Sequence, residues 1–216
     1  MTTPERFIEE LAEENRKLLD ELAAKSSSGE PPLMTIADLL KLALKNELEA
    51  ADLAALWMAD TPEIDARLAL ARQCGDEAKH FKWIEERLHD LGFATENWSP
   101  GARSPLFAHL AALRGTVERA AAGQFTREAI AVARNEVFAA FCDERGDADT
   151  ARLYRDRIQP DEEHHHALGR KLLVKYAITE EQQSRAREAA RSTLRIADEV
   201  QELARLKMGV SRAPGC

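Results

Sequence analysis

Two short stretches carry the densest metal-ligating chemistry in the chain: Asp76-Glu77-Ala78-Lys79-His80 and Asp161-Glu162-Glu163-His164-His165-His166. Laid on one another, they match over a longer run. Ala66-Arg67-Leu68 falls on Ala151-Arg152-Leu153, Arg72 on Arg157, Asp76 on Asp161, Glu77 on Glu162 and His80 on His165. Upstream, Asn46-Glu47-Leu48-Glu49-Ala50-Ala51 falls on Asn135-Glu136-Val137-Phe138-Ala139-Ala140. The sequence therefore holds two copies of one pattern, a Glu on one helix and Asp-Glu-x-x-His on the next. A Glu and a His three residues apart lie side by side on one helix face. Both pairs sit within apolar stripes, flanked by Leu70 and Ile84 in one copy and by Ile158 and Leu172 in the other.

Four carboxylates pointing into one core cannot stay there unpaired, because each unpaired buried ion costs several kcal/mol. Two divalent cations would cancel the charges of Glu47, Glu77, Glu136 and Glu162. Six ligands rich in oxygen, with the two imidazoles of His80 and His165, suit iron or manganese rather than structural zinc. Two choices stay open. Glu163 with His166 also forms Glu-x-x-His, and Glu128, which precedes Glu162 by 34 positions, competes with Glu136, which precedes it by 26. The repeat favours Glu162 with His165, and it favours Glu136, because only Glu136 has the Asn-Glu-x-x-Ala-Ala context. Pro160 lacks a backbone donor one turn from the second motif, which predicts a local bulge there.

Glu-x-x-His from each of two helices and a Glu from each of two others is the ligand plan of ferritin-like dinuclear carboxylate bundles. Over roughly residues 35–176 the chain resembles that superfamily of non-haem di-iron proteins. The resemblance is to its oxygenases and tRNA hydroxylases more than to storage ferritins. It implies a centre of two Fe ions, or Mn or mixed Mn/Fe. It also implies that Asp76 and Asp161 are hydrogen-bonded to a ligand histidine, orienting the ring and raising its basicity. The activity implied is oxidation or hydroxylation of a small molecule with O2 or peroxide, supplied with electrons by a donor protein or reductant. The alternative is an iron-handling ferroxidase or a rubrerythrin-like peroxide scavenger, although the C-x-x-C iron module of rubrerythrins is missing from the sequence.

The elements that must position these residues are all helical. Ala, Leu, Glu and Arg dominate, aromatics are 6% and period-2 strand patterns are few. The expected fold is all-α, a four-helix bundle of two antiparallel hairpins with flanking N-terminal, crossover and C-terminal helices. Residues 1–32 read as an N-terminal amphipathic helix and flexible linker, 33–178 as the metal-binding bundle, and 179–216 as a C-terminal helix with a loose tail from 211. The first hairpin spans about 35–60 and 66–91, turning at Thr61-Pro62-Glu63. A crossover helix over 106–122 is expected to break at Gly123, and the second hairpin runs over 126–144 and 148–176.

Composition narrows the function classes. A net charge of −8 over 216 residues argues against a surface built for nucleic acid. No apolar run is long enough for a membrane span, and the N-terminus lacks the organisation of a secretory signal. Three scattered cysteines give neither a disulfide framework nor a metal knuckle, pointing to a reducing, cytoplasmic setting. Assembly is left open by the sequence, with a homodimer as one possibility.

Overall fold

A computed structural model of the chain describes residues 2–27, 34–209 and 213–215. Part of the linker expected over 26–32, and residues 211, 212 and 216 of the expected tail, lie outside the described residues. The described residues are all-helical, with no strand among them. No described helix is long and apolar enough to cross a membrane.

Helix α1 (Pro4–Ser27) starts with Pro in its first turn, where its missing N–H costs nothing. It buries Phe7, Ile8 and Leu11 against residues of α8 (Gln159–Tyr176) and α9 (Glu180–Met208). Each of these side chains contributes about 1.5–3 kcal/mol by leaving water, so α1 is part of the body. Helix α2 (Ile36–Asp60) opens on a capping box, with Thr35 accepting from the Asp38 amide and Asp38 returning to the Thr35 amide. It ends where Thr61 replaces the helical pattern, its hydroxyl donating to the Trp57 carbonyl at 2.7 Å. Helix α3 (Ile64–Asp90) follows after three residues and packs along α2. Buried Arg119 ties this turn down, reaching Asp60 Oδ1 at 2.7 Å, Thr61 Oγ1 at 3.1 Å and the Leu113 carbonyl at 3.1 Å.

Short α4 (Pro105–Ala111) carries its cap, Ser104, whose backbone and hydroxyl also donate to Glu49. From there the chain departs from expectation. The crossover helix does not run from 106 to 122. After a gap at 112–115, α5 (Thr116–Arg119) passes through a π-helical stretch (Ala120–Arg127) directly into α6 (Glu128–Glu144). Gly123 is inside this continuous run. A side chain there would put its Cβ 2.5 Å from the Trp57 ring, so glycine serves the packing of a helix rather than its end.

The second arm behaves alike. Helix α7 (Ala148–Leu153), capped by Asp147, runs through a π stretch (Tyr154–Ile158) into α8. The bulge anticipated from Pro160 is this wide turn, placed just before the proline, where the regular bonding pattern is already interrupted. Helix α9 opens on a second capping box, Thr179 with Gln182.

The apolar residues divide into clusters around one buried polar centre. One cluster joins α2, α3, α6 and α7, a second α1, α3, α8 and α9, and a third α2, α3, α4 and α9. The tail is not loose where it is described: Pro214 and Gly215 are buried against α2 and α6.

Candidate metal centre

Six side chains converge between the helices: Glu47 from α2, Glu77 and His80 from α3, Glu128 from the start of α6, and Glu162 and His165 from α8. None is more than 3% exposed. They form two overlapping groups, Glu47-Glu77-His80-Glu162 and Glu77-Glu128-Glu162-His165, each with one potential ligand atom per residue and those atoms within 4.8 Å of one another. Glu77 and Glu162 belong to both.

The fourth carboxylate is Glu128, and Glu136 is not in the cluster. Glu136 is exposed, while its neighbour Asn135 is buried. The reason is helical phase. Asn135 follows Glu128 by seven positions and returns to the same face, and Glu136 stands about 100° further round. The two glutamates are also eight positions apart on α6, about 12 Å along its axis, so only one of them can stand at the level of the other ligands. In the other motif the structure brings Glu162 and His165 inward and leaves Glu163 exposed. His166 is half-buried and engaged elsewhere, its Nδ1 2.7 Å from the Phe125 carbonyl with the two rings stacked at 4.7 Å. Gly169, one turn on, lets α8 seat against the same π stretch, since a Cβ there would meet the Phe125 backbone nitrogen at 2.6 Å. His166 and Gly169 therefore key α8 onto the segment that aims Glu128.

The two aspartates brace the cluster crosswise. His80 Nε2 lies 3.3 Å from Asp161 Oδ2, and His165 Nε2 lies 3.2 Å from Asp76 Oδ2. Each aspartate thus serves the histidine of the other motif. Asp76 is held by Lys79 at 2.6 Å and by Arg72 at 3.2 Å. Arg157, the repeat partner of Arg72, instead stacks over the Trp83 ring. With both Nε2 atoms occupied outward, both Nδ1 atoms face the carboxylates. His80 Nδ1 is 3.3 Å from Glu47 Oε2 and 3.2 Å from Glu77 Oε2, and His165 Nδ1 is 3.6 Å from Glu77 Oε1 and from Glu162 Oε2.

Two supporting residues were not anticipated. Gln73 donates to Glu128 Oε1 at 2.6 Å, and Arg127 donates to the same oxygen at 3.0 Å. Gln73 is one turn before Glu77 on its inward stripe, which was a legible signal; Arg127 gave none. Tyr154 is also buried beside the cluster, edge-on to Phe138 at 4.8 Å, with its hydroxyl lacking a partner among the described residues.

Electrostatics show how the cluster holds protons. Burial pushes Glu47 up to about 7, against the pull of His80. Glu162 is raised well above the carboxylate range by burial and by the charges of Glu77 and Glu128. Burial also works to raise Glu77, but the His80 hydrogen bond and the charges of His165 and His80 outweigh it and hold Glu77 near 2. Burial opposes charge on His80 too, yet Glu47 and Glu77 together hold it protonated up to about 11. A cation at this cluster must displace the protons on Glu47, Glu162 and His80. Affinity for a divalent metal is therefore expected to rise with pH between 6 and 8, by about tenfold per unit for each proton released. Competition titrations with a metal-binding dye at three pH values test this, and a flat profile would contradict it.

The donor set fits a metal on its own chemistry. Glu128 Oε2, Glu162 Oε2 and His165 Nδ1 are buried without a hydrogen-bond partner among the described residues. An unsatisfied buried polar atom costs about 1–3 kcal/mol, and all three belong to the group of four that could hold a metal ion.

The fold and the cluster define an all-helical protein with a buried carboxylate–imidazole centre able to hold metal. No family model matches the chain, and no curated protein or solved structure matches it significantly.

Proposed function

We propose that the chain is a non-haem dinuclear metalloprotein of the ferritin-like kind. Its four-helix bundle would be made of α2 with α3 and of α6 with α8, and it would oxidise or hydroxylate a small molecule with O2 or peroxide. The observation that carries this reading is the sharing of Glu77 and Glu162 between two ligand groups. Two separate mononuclear sites would not need common carboxylates. Two divalent ions would also neutralise the four buried carboxylates, leaving both histidines neutral as ligands.

In this reading Glu47 and His80 would hold one ion and Glu128 and His165 the other, with Glu77 and Glu162 common to the two groups. Iron, or manganese with iron, suits this set of oxygen and imidazole donors and would supply one-electron chemistry toward O2 or peroxide. The chain's own part is orientation and exclusion. Asp161 and Asp76 fix the ring planes of His80 and His165 and leave Nδ1 free for a ligand role. Leu70, Ile84, Ile158 and Leu172, which flank the two motifs in sequence, are all buried, and none of the six cluster residues is more than 3% exposed.

The test is metal analysis of the protein reconstituted with ferrous iron under anaerobic conditions, followed by exposure to O2. Two ions per chain with rapid O2 consumption are expected. Fewer than two would sink the proposal, and uptake far beyond two would move the assignment to iron handling.

A further inference from the structure

The segment 213–215 returns from the end of α9 to the ligand-bearing faces of α2 and α6. Asn46 Nδ2 donates to the Pro214 carbonyl at 3.1 Å. The Gly215 amide donates to Asn135 Oδ1 at 2.8 Å, in a buried bond. Arg134 Nη1 reaches the Gly215 carbonyl at 3.5 Å. Ala213 packs against the apolar cluster of α2, α3, α6 and α7. Asn46 and Asn135 are the matching asparagines of the upstream repeat, so the repeat places one side-chain amide on each flank of this segment.

Gly215 has φ of 70°, a conformation that excludes β-branched residues in practice. A Cβ on it would lie 3.4 Å from the Asn46 Cβ and 3.7 Å from Glu47 Oε1. A side chain at Gly215 would therefore reach the carboxylate of Glu47, which places this stretch of backbone next to it. Where the aspartates stand, the cluster is shut by Asp76 and Asp161, which cannot withdraw without releasing the imidazoles they orient. Where Glu47 stands, the closing element is a short non-helical stretch held mainly by side-chain hydrogen bonds.

We propose that 213–215 is a removable cover on the Glu47 end of the cluster, latched by Asn46 and Asn135, and that its withdrawal opens the way in for metal ions and small molecules. Its consequence for catalysis rests on the dinuclear reading above, but the covering itself does not. The discriminating measurement is exchange of the imidazole Cε1 hydrogen of His80 in the metal-free protein, followed by mass spectrometry.

Two variants are compared with the parent chain, Gly215→Val and deletion of residues 213–216. In both, His80 exchange is expected to accelerate about fivefold or more while His165 stays within about twofold, because only the Glu47 end opens. Unchanged His80 exchange in both variants would overturn the cover, and so would equal acceleration at His80 and His165, which reports a loosened fold. A second arm follows cobalt(II) uptake by its visible absorption, expected to be faster in the variants with unaltered stoichiometry. Accelerated His80 exchange without any cobalt binding would refute the metal reading and leave the cover standing. Cobalt uptake at parental rates with full stoichiometry would refute the cover as an entrance.

Discussion

Glu128→Gln is expected to cut the metal content from two ions per chain to one, while Glu136→Gln leaves both in place. Glutamine keeps the volume of the side chain and an acceptor for Gln73 and Arg127, so the fold survives and the change isolates the anionic ligand. Glu128 joins the group with Glu77, Glu162 and His165, and the group around Glu47 and His80 does not include it. The loss should therefore fall on one ion. Glu136 is exposed on α6, where such a substitution stays within about 0.5 kcal/mol. Metal analysis after gel filtration reads both variants directly. Two ions retained in Glu128→Gln, or one lost in Glu136→Gln, would return the fourth ligand to the position that the repeat suggested.

The second large effect is thermal. A ligand that binds only the folded chain stabilises it by about 4 kcal/mol when its free concentration is a thousandfold above its Kd. For a chain of this size each kcal/mol raises the melting temperature by about 2–4 °C, so one saturating ion should add about 8–16 °C and a second ion more. The metal-free cluster gives reason to expect the upper part of that range. It contains three orphaned buried polar atoms, and Glu47 and Glu162 are driven toward protonation by burial and mutual repulsion. Scanning calorimetry with and without ferrous or manganous ion, and again after a chelator, provides the check. A melting temperature indifferent to metal would mark the cluster as a neutralised, hydrogen-bonded core instead.

Much of the cluster was legible because its spacing is local. Glu77 with His80, and Glu162 with His165, sit three positions apart on single helices, and their apolar neighbours say which face turns inward. Asp76 and Asp161 stood out through the repeat, and their role beside a histidine came from the resemblance, since adjacency to an inward Glu does not by itself assign it. The caps at Thr35 and Thr179 and the turn at Thr61 are likewise short-range chemistry, and they set the ends of the helices that bear the ligands.

The sequence by itself determined that this is an all-helical chain with duplicated, inward-facing Asp-Glu-x-x-His motifs and one further Glu on α2. Only the tertiary structure decided which carboxylate completes the set, which aspartate braces which histidine, and what lies over Glu47. Each of those depends on something that spacing does not record. Glu128 and Glu136 stand eight positions apart on α6, about 12 Å along its axis, and only the packing of α6 against its neighbours decides which of them meets the other ligands. The crossed Asp–His pairs depend on how α3 and α8 face one another. The placing of Gly215 beside Glu47 joins positions far apart in the chain through a backbone amide and two asparagines, groups whose chemistry is common everywhere and becomes specific only when folding brings them together.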